Sequence, residues 1–435
     1  MMKQKSLNSW LWKWHIIGGL ISLPFIFLLS ITGAVYLFKA DFNDAYYEKV
    51  RLVNVPENGE RVPVSQQFAA VKEAQTTPTT STHSISHVYL PSSPERATRF
   101  RLHSKGHARN LVHVDPYTAE VTGVIQQHDT FMYKVRKLHG ELLLNQAGEY
   151  VVELIASWSI VLILTGIYIW WPAKRFSLAG FFTIRRHKSR RVFWRDMHSV
   201  VGFWASILLL IILAGGMPWT DVFGSQLKWI QAKTDTGYPK HWRSTKGLKS
   251  QHTAGNPVLT IDEIVSIAIA KNLKGALTIK LPKEPDDVFS ISNRAFWLRD
   301  QKVFHIDQYS GNIVKSYDWS EVGILMEMRQ IAMRLHQGEY GLVNWIVVLI
   351  VALAFALSTA AGLVSYLLRK PQGRWGLPSV PAQFKVGKLV LVSILVLGVV
   401  FPLFGLTLVV LSVGLLAKTA LSKKKAKKKG AHVLP

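Results

Sequence analysis

The stretch Lys137-Leu138-His139-Gly140-Glu141 stands just before a long apolar run that contains Leu164-Thr165-Gly166-Ile167. The same phrase returns as Arg334-Leu335-His336-Gln337-Gly338, before a second apolar run that contains Ala361-Gly362. Both runs are long enough to cross a bilayer, which takes about 20 largely apolar residues. The pattern predicts two membrane helices, each with a histidine at its mouth and a small-residue notch near its far end.

A second phrase also occurs twice. Trp14-His15 leads into an apolar run with Thr32-Gly33, and Met197-His198 leads into one with Gly215-Gly216. Four apolar segments therefore each begin with a histidine. They form two pairs, and the members of a pair share the same local phrase.

The composition places the chain among membrane proteins. It has 435 residues, of which 49% are hydrophobic, with 15 Trp and a formal charge of +25. Apolar runs of spanning length lie at 15–38, 150–171, 198–219 and 343–368, and a further apolar block at 389–417. The first run follows three lysines and has no cleavage site after it, so it is predicted to be an uncleaved anchor.

The basic residues sit where they would fix the topology. The N-terminus and the stretches 172–197, 369–388 and 418–429 together carry +22 of the net +25. Short loops rich in Lys and Arg stay in the cytoplasm, so the long segments 40–149 and 220–342 should lie outside. Because the charge lies between spans, it favours a topology signal and contact with membrane lipid over nucleic-acid binding.

The chain contains no cysteine. It therefore cannot hold a thiolate-ligated iron–sulfur cluster or a covalently attached c-type haem. No nucleotide-binding glycine motif is present either. A redox cofactor would have to be held by histidine or another non-thiol ligand.

The two external segments resemble each other. A short helix is expected at 64–74, a loop at 76–84 and alternating strands after it, and the second segment has a capped helix from Thr260 and strands at 276–281, 287–292 and 302–306. The sequence at 113–121 matches that at 305–313 with an offset of 192, close to the histidine offsets of 183 and 197. The chain is thus predicted to be a tandem duplication of outward helix, small α+β module and inward helix.

These observations predict a polytopic α-helical membrane protein with a four-helix core, two external α+β modules and a C-terminal hydrophobic hairpin. The hairpin is expected to turn at Pro402–Gly405, because a single crossing would leave the last lysines outside. The predicted organisation is: 1–39, N-terminus and first span; 40–149, first module; 150–219, second span, basic loop and third span; 220–342, second module; 343–370, fourth span; 371–435, hairpin and basic tail.

The four histidines suit bis-imidazole ligation of b-type haem. His15 and His198 begin outward spans at the cytoplasmic face, while His139 and His336 begin inward spans at the external face, so matching depth gives two pairs and two haems. At 1.5 Å per residue His139 would lie about 40 Å above Gly166, at or just above the membrane surface. The alternatives are inert interfacial histidines or a metal ion other than haem iron.

Other polar residues carry weaker signals. Three glycines near the inner pair, Gly18, Gly19 and Gly202, would leave room for a flat macrocycle. Glu153 is either a proton or propionate partner or an interfacial acid paired with a basic residue. His113 and His305 are expected to be structural. Four more histidines are expected at the solvated surface: His83, His87, His103 and His107.

At these residues the chain resembles the PepSY-associated transmembrane family. The similarity lies in the four histidine phrases, in Thr165-Gly166-Ile167-Tyr168-Ile169-Trp170-Trp171 and in the turn Asp115-Pro116-Tyr117-Thr118-Ala119-Glu120, and it covers roughly residues 10–410. Two departures are Ala119, where the module usually has glycine, and Ala360-Ala361-Gly362 in place of Thr-Gly.

The resemblance implies a bacterial inner-membrane, multi-pass haem protein with PepSY-like modules in the periplasm. It implies a ferric-siderophore or ferric-chelate reductase that takes electrons from a cytoplasmic donor or from quinol. The positions that match the family's haem ligands are His15, His139, His198 and His336, which would also be the metal-binding residues.

Two other functions compete with this one. A permease for ferric chelates predicts a hydrophilic path with intramembrane charges, of which the sequence offers little beyond Glu153. A sensory or protease-regulating role for the external modules leaves the histidine quartet unexplained.

Overall fold

The computed structural model describes residues 4–74, 84–103, 110–171, 179–251, 257–370, 376 and 388–430. The chain divides into two compact units. The helical unit comprises Met1–Ala34, Lys137–Leu227 and Ala332–Pro435, and the sheet unit comprises Val35–Arg136 and Lys228–Ile331.

The regular elements follow in chain order. The helices are α1 (Gln4–Leu37), α2 (Lys39–Tyr46), α3 (Glu48–Arg51), α4 (Val64–Ala74), α5 (Phe131–Glu141), α6 (Asn145–Trp170), α7 (Arg190–Gly216), α8 (Val222–Lys233), α9 (Ile261–Ala270), α10 (Ile324–His336), α11 (Gly341–Leu367), α12 (Lys388–Val400) and α13 (Pro402–Gly430). The strands are β1 (Ser84–Tyr89), β2 (Thr98–His103), β3 (Asn110–Val114), β4 (Val121–Gln126), β5 (Ala276–Lys280), β6 (Val288–Arg294), β7 (Lys302–Asp307) and β8 (Ile313–Asp318).

The helical unit contains the expected spans. Within the described residues, four helices are long and apolar enough to cross a membrane: Leu11–Leu37, Asn145–Trp170, Arg190–Trp219 and Gly341–Leu367. Large apolar side chains such as Ile21, Ile207 and Val343 remain more than half exposed within the protein. Such a surface suits lipid rather than water.

The two inward spans do not begin at their histidines, which corrects the sequence prediction. His139 lies near the end of α5. The helix is interrupted at Leu142 and Leu143, whose φ angles are 50° and 60°, before α6 starts. His336 ends α10. Gly338 (φ 69°) lies between it and α11, which starts at Gly341 (φ 84°). Backbone in the left-handed region does not continue a right-handed helix. Each histidine therefore belongs to a short helix that precedes the span.

The C-terminal apolar block forms two helices. α12 and α13 are bent by 120° at Phe401, and Gly398 lies directly against Gly405 where they meet. Ile394 and Phe404 pack with Ile160 of α6 in one buried apolar cluster. The block therefore bends sharply at Phe401 and packs on a spanning helix; whether it crosses the membrane once or turns back stays a prediction.

The sheet unit contains one antiparallel sheet of eight strands in the order β4-β3-β2-β1-β5-β6-β7-β8. The first module supplies β1 to β4 and the second β5 to β8, and β1 pairs with β5 between His87–Tyr89 and Thr278–Lys280. The two expected modules are therefore halves of one sheet. α4 and α9 pack on one face, where Val71, Phe100 and Ile264 are fully buried.

Several local predictions for this unit are confirmed. α4 spans 64–74 as expected, and α9 starts with a reciprocal capping box between Thr260 and Glu263. Ala119, which departs from the family pattern, has φ 62°, close to the 72° of Gly311 in the matching turn. The turn geometry is thus preserved at a residue that pays a steric cost for it. The expected loop at 76–84 lies, except for Ser84, outside the described residues.

Candidate histidine site

The ring of His139 lies against α1, within the length of that span. Its Nδ1 is 3.0 Å from the carbonyl oxygen of Leu29 and 3.1 Å from Oγ1 of Thr32. Gly33 provides the room, because a Cβ there would lie 3.1 Å from Cε1 of His139. The histidine that precedes the second span therefore packs into the Thr32-Gly33 notch of the first span. We call such a contact, a hydrogen-bond acceptor for Nδ1 with a glycine beside the ring, a seat.

His336 lies against α7 in the same way. Its Nδ1 is 2.7 Å from the carbonyl oxygen of Ile212, and a Cβ on Gly216 would lie 3.2 Å from its Cε1. Leu29 and Ile212 are 183 residues apart, as are Gly33 and Gly216, and this is also the offset between His15 and His198. The two outer seats are therefore equivalent positions of the duplication.

The structure brings these two histidines together. The ring centroids of His139 and His336 are 6.2 Å apart, with 58° between the ring planes. Two imidazoles bound through nitrogen to one metal ion at about 2 Å place their centroids roughly 6 Å apart. The spacing would suit two histidines that together hold one metal ion.

His15 is seated on α6. Its Nδ1 is 2.9 Å from Oγ1 of Thr165, and a Cβ on Gly166 would lie 3.3 Å from its Cε1. Thr165 donates its own proton to the carbonyl of Val161 at 2.7 Å. The threonine oxygen is therefore left to accept the proton on Nδ1 of His15.

His198 is seated on α11, where the sequence departs from the Thr-Gly pattern. Its Nδ1 is 2.8 Å from the carbonyl oxygen of Ser358 and 3.2 Å from the hydroxyl of the same residue. Gly362 again faces the ring, since a Cβ there would lie 3.0 Å from Nδ1. Ser358, about one turn earlier in the helix, thus supplies the partner that Ala361 cannot.

The inner histidines are also close to each other. His15 lies within range of the charge of His198, so that the two rings would repel if both were protonated. Each histidine is therefore held by the other span of its own repeat, and His139 lies opposite His336, the corresponding histidine of the other repeat.

The hydrogen bonds fix which nitrogen carries the proton. Carbonyl oxygens only accept, so Nδ1 is the donor in His139, His198 and His336, and Thr165 imposes the same tautomer on His15. A neutral imidazole protonated on Nδ1 keeps its lone pair on Nε2, the atom that binds metals. A metal-ligating histidine usually donates its other ring N–H to a hydrogen-bond acceptor, which orients the ring.

The expected depth of the outer pair needs correction. His139 contacts Leu29 and Thr32, so it lies beside the last turns of α1, which ends at Leu37. Thr32 lies about 8 Å before that end at 1.5 Å per residue. The outer pair therefore sits within the helix bundle rather than above it.

The glycines predicted to make room for a macrocycle have different neighbours. A Cβ on Gly18 would lie 2.8 Å from the ring of Trp158, and one on Gly202 would lie 3.1 Å from the hydroxyl of Ser358. Only Gly19 of these three faces open space within 4 Å. Beside His15, a small cavity opens towards the C-terminal hairpin. It is lined by apolar residues including Trp14, Trp158, Ile394 and Phe404.

Glu153 has a role that neither sequence interpretation foresaw. Its carboxylate is fully buried and accepts the backbone N–H groups of Val222 and Phe223 at 2.8 and 2.9 Å. These are the first two residues of α8, whose N-terminal N–H groups have no partner within the helix. Glu153 therefore caps α8 and ties it to α6.

Asp196 ties the first turns of α7 to the loop before it. Its carboxylate is fully buried and accepts from Arg185 at 2.7 and 2.8 Å and from Arg195 at 2.8 Å. This charge-assisted contact holds the preceding loop against the helix turn that carries His198.

The other histidines singled out from the sequence lie in the sheet unit or outside the described residues. His305 is buried between Ser290, at 2.8 Å, and the carbonyl of His241, at 2.8 Å, and is structural as expected. Burial lowers the pKa of His113 to about 4, and the nearby charge of Arg99 adds to the effect. His103 is exposed as expected, whereas His87 is half-buried, which corrects that expectation. Two more lie outside the described residues: His83 and His107.

Sequence reasoning identified the four rings but missed three of their partners. Ser358 carries a weak signal, as a polar residue in an apolar span about one turn before Gly362. Leu29 and Ile212 act through their backbone carbonyls. Every residue type has this group, so the sequence does not reveal which residues use it. Only the duplication offset links them, after the contacts are known.

The fold and these seats define a multi-pass membrane protein whose two repeats share one eight-stranded sheet. A family model described as the PepSY-associated TM region matches residues 12–369, which include all four histidines and all eight strands. The chain belongs to the family of proteins with a PepSY-associated TM region. No curated protein matches it significantly.

Proposed function

We propose that this protein is a di-haem b-type oxidoreductase of the bacterial inner membrane that reduces ferric siderophores or other ferric chelates in the periplasm. The observation that carries the proposal is the seating of four histidines, each through Nδ1, with His139 and His336 facing each other at 6.2 Å. An inert histidine at the membrane surface would not need a hydrogen-bond acceptor on a neighbouring span. Here such an acceptor binds Nδ1–H of each ring and leaves the lone pair of Nε2 available to a metal.

The donor set favours haem over a bare metal ion. Among the described residues, no group of three or more His, Asp or Glu side chains lies together as a metal site would require. A haem would need only two ligands from the protein, because the porphyrin itself holds the iron. His139 and His336 would hold one haem, and His15 and His198 the other, while the bound groups would supply one-electron transfer.

The protein's own residues would tune both sites. The carbonyls of Leu29, Ile212 and Ser358 and the hydroxyl of Thr165 would each accept a hydrogen bond from Nδ1–H of one ring. This bond would make Nε2 of that ring a stronger electron donor to the metal. Gly33, Gly166, Gly216 and Gly362 let each ring approach its helix closely. Stronger donation favours the ferric state, so these contacts would lower the reduction potentials.

The direction of transfer follows from the proposed topology. The inner pair would take electrons from a cytoplasmic donor or from quinol, and the outer pair would deliver them on the periplasmic side. Hard oxygen chelators hold ferric iron far better than ferrous iron, so one electron per iron would promote release of the metal.

An optical spectrum tests the proposal directly. Purified full-length protein from haem-replete cells should carry two haems per chain and show the sharp bands of six-coordinate low-spin b-type haem after dithionite reduction. A colourless protein would overturn it.

A second measurement tests the acceptor. Ferric siderophore added to the reduced protein should reoxidise it, with ferrous iron trapped by a ferrous-specific chelator in equal electron equivalents. If ferric chelates leave the reduced spectrum unchanged while a quinone reoxidises it rapidly, the reductase function is wrong and the acceptor lies in the membrane.

A further inference from the structure

The two faces of the eight-stranded sheet carry different side chains. Phe100 and Val88 point towards α4 and α9 and are fully buried. Because side chains alternate along a strand, the residues between them point to the opposite face. That second face is covered at one end, where Val50 lies against Gly123 of β4.

The other end of the second face is covered as well. Trp242 packs with Val303 of β7 and Tyr317 of β8 in a buried cluster, and the carbonyl of His241 binds His305. The central strands β2, β1 and β5 lie between these two covered ends. Their side chains form the floor of the second face.

The floor consists of two rows across the central strands. Arg101 pairs with His87 and His87 with Lys280, which forms the first row. In the second row Arg99 pairs with Tyr89, whose ring lies 5.0 Å from the guanidinium carbon. With strands about 4.8 Å apart, three cationic side chains stem from an area roughly 10 Å across. We call Arg99, Arg101, Lys280, His87 and Tyr89 the basic floor.

The two arginines of the basic floor have no carboxylate in ion-pair contact among the described residues. Neither Arg99 nor Arg101 forms an ion pair with a carboxylate in the part of the chain that the structure describes, and the nearby Asp44 is bound to Arg51 and Arg96. Lys280 donates to the hydroxyl of Thr245 at 2.9 Å and feels the charge of Asp287. Burial, followed by the surrounding guanidinium charges, lowers the pKa of Arg99. Clustered like charges on a half-buried surface are costly unless an anion joins them.

The duplication shows that the fold itself does not need these arginines. In the first half Arg99 pairs with His113 and Arg101 with Leu111. At the equivalent places of the second half, Ser290 pairs with His305 and Ser292 with Val303. The same strand is therefore built with serines in one copy and with arginines in the other, and the arginines call for a separate reason.

We propose that the basic floor binds a multiply charged anionic metal chelate, one that presents carboxylate or catecholate oxygens. Guanidinium groups bind such oxygens through paired hydrogen bonds, and Tyr89 adds a flat aromatic surface. This inference rests on the proposed function, since it names the class of ferric chelate that the protein would take. It predicts that anionic chelates are preferred over neutral ones.

Gallium(III) citrate tests the binding without any electron transfer, because gallium(III) is not reduced under these conditions. Titration of the full-length protein in detergent, followed by calorimetry, should show saturable binding that weakens as salt rises. The double variant Arg99→Ser/Arg101→Ser copies the residues of the second half, so its sheet is expected to fold. It should bind at least tenfold more weakly, whereas Arg61→Ser, an exposed arginine outside the basic floor, should bind like the wild type.

Several outcomes would overturn the inference. These are unchanged affinity in the double variant, equal affinity for a neutral gallium trihydroxamate, and equal affinity for inorganic phosphate. Displacement of the chelate by vesicles of anionic but not zwitterionic lipid would assign the basic floor to lipid headgroups instead. The haem spectrum, recorded on the same samples, tests the proposed function separately, because gallium binding requires no haem.

Discussion

The imidazole rings of His139 and His336 lie 6.2 Å apart although 197 residues separate them in the chain. Neither ring is held by the other. His139 is held by α1 and His336 by α7, each within its own repeat. The two halves of the duplication therefore meet at this pair of rings, and each half positions one of them through its own hydrogen bonds.

This arrangement predicts how ligand loss divides the haems. His139→Ala and His336→Ala should each remove the same haem, and His15→Ala and His198→Ala should each remove the other, because each site draws one ligand from each repeat. Every variant should retain about half of the pigment, measured as haem per chain. His103→Ala, at an exposed position on β2, should retain all of it. If His15 and His139 removed the same haem, the pairing across repeats would be wrong.

The partners on Nδ1 predict a graded effect on potential. Thr165→Val deprives His15 of its Oγ1 acceptor, whereas Thr32→Val leaves His139 its bond to the carbonyl of Leu29. A weaker donor favours ferrous iron, so Thr165→Val should raise the midpoint potential of one haem more than Thr32→Val raises that of the other. Redox titration followed optically measures both.

A matched control for the threonine variants lies on the same helix. Ser159 donates only to its own helix, to the carbonyl of Ile155. Ser159→Ala should therefore leave both potentials unchanged. Equal shifts in Thr165→Val and Ser159→Ala would show that the hydroxyl of Thr165 acts through packing alone.

The notch in α1 predicts a steric effect. A Cβ added at Gly33 would lie only 3.1 Å from Cε1 of His139. Gly33→Val should therefore displace that ring and remove the same haem as His139→Ala. Gly140→Val is the control, because nothing lies within 4 Å of a Cβ at that position beside His139. Loss of pigment from the control alone would contradict the seat described here.

The sequence allowed the four spans, the duplication and the four histidines to be predicted, because apolar length and repeated phrases are visible in one dimension. It did not allow the breaks at Leu142 and Gly338 to be predicted. A helical pattern runs through Leu142 and Leu143, yet both adopt the left-handed region. Their N–H groups bind the carbonyls of Leu138 and Lys137 and so close the end of α5. The joining of the modules was also hidden, since the β1–β5 pairing is a contact between distant segments with no turn to mark it.

Burial of His113 predicts a pH dependence of stability. Its pKa is lowered by burial to about 4 in the folded protein against an ordinary value of 6.5. The unfolded chain therefore binds more protons between these values, so the stabilisation is complete above pH 6.5 and is lost as pH falls towards 4. For this shift the loss is on the order of 3 kcal/mol.

The variant His113→Gln isolates this contribution, because glutamine does not titrate. The difference in melting temperature between wild type and His113→Gln should be largest at pH 7.5 and shrink at pH 5, as measured by intrinsic fluorescence. For His103→Gln, at an exposed position, the difference should stay constant. A His113→Gln difference that grows on acidification would reverse the sign and contradict the buried neutral ring.

The C-terminal hairpin yields a prediction about orientation. α12 and α13 turn by 120° where Gly398 meets Gly405, and seven basic residues follow between Lys418 and Lys429. Both features favour a tail that returns to the side from which α12 starts, because clustered lysines resist export. A reporter fused after Pro435 should therefore report the cytoplasm. Gly405→Val would press on the carbonyl of Gly398 and should open the hairpin, which makes the same reporter heterogeneous or external. A wild-type reporter on the external side would mean that the block crosses the membrane once.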